Sequence, residues 1–144
     1  MLDIQSVNHI GIRISDRATS IAFYEKLGFA LKTDVGFEDG HPVIMKHDSG
    51  VVLNLLGPAT VADGSNILMD VDDKYTGITH FALTVASLDE AKAFVTGNGM
   101  EITGSFSFGD MAAIFIRDPD RNVIELDAYG HSGENDMDDY TAHP

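Results

Sequence analysis

Two histidines, His9 and His80, stand 71 residues apart, and the chain repeats itself at that spacing. Residues 9–31 read HIGIRISDRATSIAFYEKLGFAL and residues 80–102 read HFALTVASLDEAKAFVTGNGMEI. They align without a gap, with Phe23 on Phe94 and Gly28 on Gly99. The offset persists to Lys46 on Arg117, Val52 on Val123 and Leu55 on Leu126. A repeat at a fixed period means one supersecondary unit used twice. The two modules span 6–57 and 77–128. Between them lie Gly57-Pro58 and Asp63-Gly64-Ser65, which are breaker and turn residues.

Each module opens on a strand. From Ile10 on, the even positions Ile10, Ile12 and Ile14 are apolar, and Phe81, Leu83 and Val85 repeat that alternation. A helix follows. Ser87-Leu88-Asp89-Glu90 has capping-box spacing, Ala91, Phe94 and Val95 fall on one face, and Asn98-Gly99 ends the run. Asp16 and Gly28 bracket the first helix in the same way. Three short strands complete each unit, at 29–34, 41–47 and 50–56, and again at 99–105, 111–117 and 121–128. Asp118-Pro119-Asp120-Arg121-Asn122 forms the last turn. The predicted class is α+β: two βαβββ modules related by an internal repeat, within a single domain over 1–130. Residues 131–144 carry four carboxylates and no Lys or Arg, and read as an acidic, mobile tail.

The 144 residues suffice to bury a core without covalent help, and there is no cysteine for a disulfide, a thiolate nucleophile or a Cys-containing zinc site. Nine basic against 23 acidic residues give a net charge of −14. Such a chain repels nucleic-acid backbones and anionic membranes, so neither is an expected partner; a cationic ligand or a metal ion is compatible. Met1-Leu2-Asp3-Ile4-Gln5 lacks the pattern of a signal peptide, and no apolar run approaches a membrane span, so the expected compartment is the cytoplasm.

Opposite the apolar face, the first strand carries Val7, His9, Gly11 and Arg13, and its counterpart carries His80, Ala82 and Thr84. On the closing strand Val123, Glu125 and Asp127 share the face away from Ile124 and Leu126. A carboxylate in the middle of a largely buried strand is costly unless paired or bound to a cation. A lone strand histidine is usually just hydrogen-bonded, but two at one repeat offset, with Glu125, point to a metal. If the modules pack about a pseudo-twofold axis, His9, His80 and Glu125 converge. Two imidazoles and one carboxylate make a facial triad suited to Fe(II), Mn(II), Ni(II) or Zn(II), with open positions for water or substrate.

These residues resemble the vicinal-oxygen-chelate superfamily of glyoxalase I, bleomycin-resistance proteins, fosfomycin-resistance enzymes, methylmalonyl-CoA epimerase and extradiol dioxygenases. The resemblance covers 6–128 and is carried by VNHIGIRISD and FYEKLGF, then ITHFALTVASLDEA, then RDPDRNVIEL. It implies paired modules forming an open, cupped β-barrel around a metal, with His9, His80 and Glu125 as ligands. The fourth family position falls, by the repeat offset, on Asn54. Glyoxalase I and the epimerase have Glu or Gln there, and a carboxylate at that level moves a proton. Asn54 cannot be that base. It is either a weak ligand or hydrogen-bond donor at the metal, or a polar residue satisfied within the barrel.

The fosfomycin reading wants several cations, and only Arg13, Lys46 and Arg117 sit on or beside the barrel strands. A dioxygenase reading wants an acid–base group, for which His47 is the candidate and His41 its alternative. Tyr24 reads as core, and Tyr129 as packing or as a lining residue at the mouth. The expectation is thus a metal-dependent enzyme whose small substrate chelates the ion through two oxygens, leaning to dioxygenase-like chemistry. The alternatives are a glyoxalase I-like (lactoylglutathione lyase type) lyase or isomerase, and a metal-free resistance protein that sequesters a cationic small molecule. Unpaired strand edges in each module predict a homodimer.

Overall fold

The computed structural model describes residues 1–130; the acidic stretch beginning at His131 lies outside the described residues. Two compact units divide the chain, Met1–Asp63 and a second from Gly64 on. The first holds β1 (Ile10–Arg13), α1 (Arg17–Lys26), β2 (Ala30–Thr33), a 3-10 turn (Phe37–Asp39), β3 (Val43–Lys46) and β4 (Val52–Leu56). The second holds β5 (His80–Thr84), α2 (Leu88–Gly97), β6 (Gly104–Phe108), β7 (Met111–Arg117) and β8 (Val123–Tyr129). Both are βαβββ modules. Each forms an open four-stranded mixed sheet, ordered β1-β4-β3-β2 and β5-β8-β7-β6, whose first pair is parallel.

The repeat extends to the pairing register. Asn54 pairs with Gly11 and Ile44, and 71 residues on Glu125 pairs with Ala82 and Phe115. The helices also start alike. The Asp16 carboxylate accepts from the Thr19 N–H at 2.8 Å, and the Ser87 hydroxyl accepts from the Glu90 N–H at 3.3 Å. Both end on a glycine with positive φ, Gly28 and Gly99. On α2, Leu88, Ala91 and Val95 are buried. Phe94, expected on that face, is 39% exposed.

One strand differs from expectation. The sixth lies at 104–108, not 99–105. Ser105-Phe106-Ser107-Phe108 supplies the period-two alternation, and Gly109-Asp110 makes the tight hairpin into β7 that sets the register. In the first unit the corresponding β2–β3 pairing shifts register between Leu31 and Thr33, so here the two copies are not superposable residue by residue.

The first core gathers Ile12, Ile14, Tyr24, Val43, Met45, Leu53 and Leu55; the second gathers Val95, Ile114, Ile116, Ile124 and Leu126. Tyr24 is fully buried, as expected. At the end of β4 the Phe37 ring lies so close to Gly57 that a Cβ there would sit 2.2 Å from it, so any side chain would have to displace the ring. Among the described residues, no helix is long and apolar enough to cross a membrane.

The chain leading into β5 is fastened to its own unit. Asp70 accepts from Arg121 Nε at 2.6 Å, from the Asn66 N–H at 2.7 Å and from Arg117 at 3.0 Å. Arg121 has φ +63 and belongs to the turn organised by Asp118, whose carboxylate accepts from the N–H groups of Asp120 and Asn122. Arg117, considered above as a cation at the barrel, is occupied by Asp70 and by the Arg121 carbonyl.

Candidate functional site

The second unit brings two of the expected ligands together. His80 pairs with Val123 across β5 and β8, and Glu125 lies two residues further along the same face. The His80 Nε2 is 3.1 Å from Glu125 Oε2, with side chains 39% and 12% exposed. The ring meets Phe115 edge-on, with centroids 6.1 Å apart. Two donors bound side by side to one ion at about 2.1 Å stand about 3 Å apart, so the spacing of this pair suits a divalent metal.

The other ring nitrogen is also held. His80 Nδ1 lies 2.9 Å from the Thr79 hydroxyl. At the equivalent place in the first unit, His9 Nδ1 lies 2.7 Å from Asn8 Oδ1, an oxygen that only accepts. This contact holds the His9 ring through Nδ1. Each histidine is oriented by the side chain of the residue before it, as metal-ligating histidines generally are by an outer partner. Spacing alone does not single out Asn8 or Thr79; their signal is a polar residue before each histidine at the repeat offset.

His9 itself is exposed and precedes β1. Among the described residues no group of three or more His, Asp or Glu side chains is placed to hold an ion. Of the family-type donor set, the pair supplied by the second unit fits a metal in spacing and chemistry, and the His9 ring is held through Nδ1.

Asn54 occupies the middle of β4, half-buried between Gly11 of β1 and Ile44 of β3. It stands in its sheet as Glu125 stands in the other. His47 follows β3 and shapes the turn into β4: its Nδ1 accepts the Ser49 N–H at 3.0 Å and faces the Ser49 hydroxyl at 2.8 Å. The ring lies against Phe29, 5.3 Å between centroids. It also covers Gly28, where a Cβ would come within 3.0 Å of Nε2. His41 lies against Gly36 in the loop around the 3-10 turn. Tyr129, at the end of β8, is 63% exposed.

Glu125 does not share its face only with His80. Asp127 is 8% exposed, and among the described residues its Oδ1 is buried without a hydrogen-bond partner. The alternation along β8 puts it on the Glu125 face, a placement the sequence gives directly; its lack of a partner is visible only in three dimensions.

Comparison with known proteins bears on this arrangement. The family described as Glyoxalase/Bleomycin resistance protein/Dioxygenase superfamily matches residues 6–126. Among solved structures, a glyoxalase family protein from Enterococcus faecalis is similar at TM-score 0.71 and 23% identity, over 88% of this chain and 99% of that one. An antibiotic binding protein, TnmS3 from Streptomyces sp. CB03234, is similar at TM-score 0.68 and 20% identity, over 90% of this chain and 99% of that one. A lactoylglutathione lyase from Agrobacterium tumefaciens is similar at TM-score 0.64 and 19% identity, over 88% and 96%. No curated protein matches the sequence. At these identities the structural likenesses speak for the fold alone.

Proposed function

The chain belongs to the Glyoxalase/Bleomycin resistance protein/Dioxygenase superfamily, and from that premise we propose that it is a divalent-metal-dependent enzyme whose small substrate chelates the ion through two neighbouring oxygens. The observation that carries this reading is the His80–Glu125 pair at 3.1 Å. His9, His80 and Glu125 would hold an iron, manganese, nickel or zinc ion, which when bound would supply Lewis acidity and a template and, if iron, O2 chemistry.

The chain's own residues divide the remaining work. Thr79 and Asn8 orient the imidazoles. Phe115 shields one side of His80 from water. Asn54 stands where a glyoxalase-type enzyme needs a proton-moving carboxylate, and a carboxamide has no such basicity. The reaction is therefore assigned to the dioxygenase-like class rather than to a glyoxalase I-like lyase or isomerase. His47 is the acid–base candidate; with Nδ1 taken up by Ser49, proton exchange falls to Nε2. The working form is a homodimer, because each sheet ends in edge strands, β1 and β2 or β5 and β6, whose outer hydrogen-bonding groups call for cover.

A second reading is a metal-free protein that sequesters a cationic small molecule. It is favoured by the net charge of −14, which suits a cationic ligand. Metal analysis of protein purified anaerobically, without a metal-binding tag, separates the two. One equivalent of a transition metal per chain supports the enzyme. Protein that emerges empty and cannot be loaded supports sequestration.

A further inference from the structure

We propose that Asp127 is a specificity-determining residue that takes the protonated amine of an aromatic ligand lying on the face of the second sheet opposite α2. The starting point is the unpartnered, buried Oδ1. A carboxylate oxygen withdrawn from water without a donor is among the costliest groups a sheet can carry, and it calls for a donor from elsewhere.

The surroundings say what kind of donor. Across the sheet Asp127 is flanked by Thr84 on β5 and Ala113 on β7, with Phe106 beyond Ala113 on β6. None of these carries a charge. The next row toward the strand ends is Phe108, Met111 and Tyr129, paired across β6, β7 and β8. Phe108 is 67% exposed and Tyr129 63%, although both are large and apolar-bodied. On the β5 side the row His80, Ala82 and Thr84 is open to solvent. Arg117, the basic residue of this face on β7, is engaged by Asp70. The face therefore offers a buried carboxylate beside aromatic rings, and among the described residues its one strand cation, Arg117, is engaged by Asp70. Organic cations with an aromatic body match that combination through charge pairing and ring contact.

Along a strand, alternate residues stand about 6.6 Å apart, so a ligand whose oxygens reach the His80–Glu125 pair also has Asp127 within reach of an amine on a short flexible arm. Amine recognition itself needs no metal. It deepens the enzyme reading by naming the substrate class, and it survives if that reading fails.

The probes are dopamine and 4-ethylcatechol, which share a ring and an oxygen pair and differ in the ammonium group. Their affinities are measured by calorimetry for the full chain, both metal-loaded and stripped with chelator, with metal content determined in parallel. Dopamine is expected to bind at least about tenfold more tightly than 4-ethylcatechol in both preparations. Asp127→Asn should abolish the preference while leaving 4-ethylcatechol affinity within about twofold. Asp127→Leu, which copies Leu56 at the equivalent place in the first sheet, should do the same. It should also raise the melting temperature, because it removes a buried unpaired charge; should Asp127→Asn misfold, this variant carries the test. Equal affinities in the parent, a preference that persists in a folded variant, or no saturable dopamine binding at millimolar concentration overturns the proposal. Protein that takes up no metal yet still prefers dopamine refutes only the metal-enzyme reading.

Discussion

Glu125 lies one strand across from His80 and two residues beyond its pairing partner, and this diagonal brings Oε2 to 3.1 Å from Nε2. The two groups come from different strands of one rigid sheet, so removing either leaves the strands paired. His80→Ala and Glu125→Ala should each abolish tight metal binding with unchanged circular dichroism. Thr79→Val, which frees the ring to turn, should weaken binding by about tenfold. Calorimetric titration beside the parent protein checks all three, and parental metal affinity in either alanine variant removes the pair from the ligand set.

Asn54 provides the opposite test. Its sheet position copies that of Glu125, with Gly11 and Ile44 in place of Ala82 and Phe115. Asn54→Glu should tighten metal binding by about tenfold or more and introduce weak proton-transfer activity toward a hemithioacetal. An unchanged affinity would mean that position 54 does not face the ion.

Asp70 predicts a pH dependence. Hydrogen bonds from Arg121 hold its carboxyl well down, to about 2, with help from the Asn66 N–H and Arg117 and against the effect of burial. The folded value is below the unfolded one near 3.9, so the stabilisation is fully present above about pH 4 and is lost as pH falls through 2. Asp70→Asn should cost about 1–2 kcal/mol at pH 7, a figure reduced for the solvent-exposed Arg121 arm, and progressively less as pH falls through 2. Urea titrations at several pH values measure it; a cost that does not shrink with acid would exclude the ion network as its source.

Subunit mixing tests the assembly. His9→Ala and Glu125→Ala chains, each without metal, are combined and allowed to exchange. If each site draws His9 from one chain and His80 with Glu125 from another, the heterodimer regains one intact site of two. Exchange demonstrated without any recovery of metal refutes sharing, and a monomeric mass by light scattering refutes the dimer.

The repeat was legible because it is written in residues that serve the backbone. Asp16 and Ser87 start the helices, Gly28 and Gly99 end them, and alternating aliphatics fix the faces, so a 71-residue comparison found both modules. The 71-residue offset points to a strand at 99–105, but the two sheets differ there. The Ser-Phe-Ser-Phe alternation and the Gly109-Asp110 turn were the better guide. In the site, His80 and Glu125 were readable as a pair since strand pairing is itself periodic. What could not be read was how each group is satisfied. The Ser49 contacts of His47, the occupation of Arg117 by Asp70, and the orphaned oxygen of Asp127 all depend on distances that spacing in sequence does not encode.

The shared register of the two sheets gives this chain an internal control. Asn54 and Glu125 sit in matching slots of matching frames, as do Leu56 and Asp127, and Arg13 and Thr84. Any side chain found at one slot has already been accommodated by that backbone geometry at its twin. Exchanging the members of a pair thus alters chemistry while the pairing geometry is held constant, a comparison that usually requires two separate proteins.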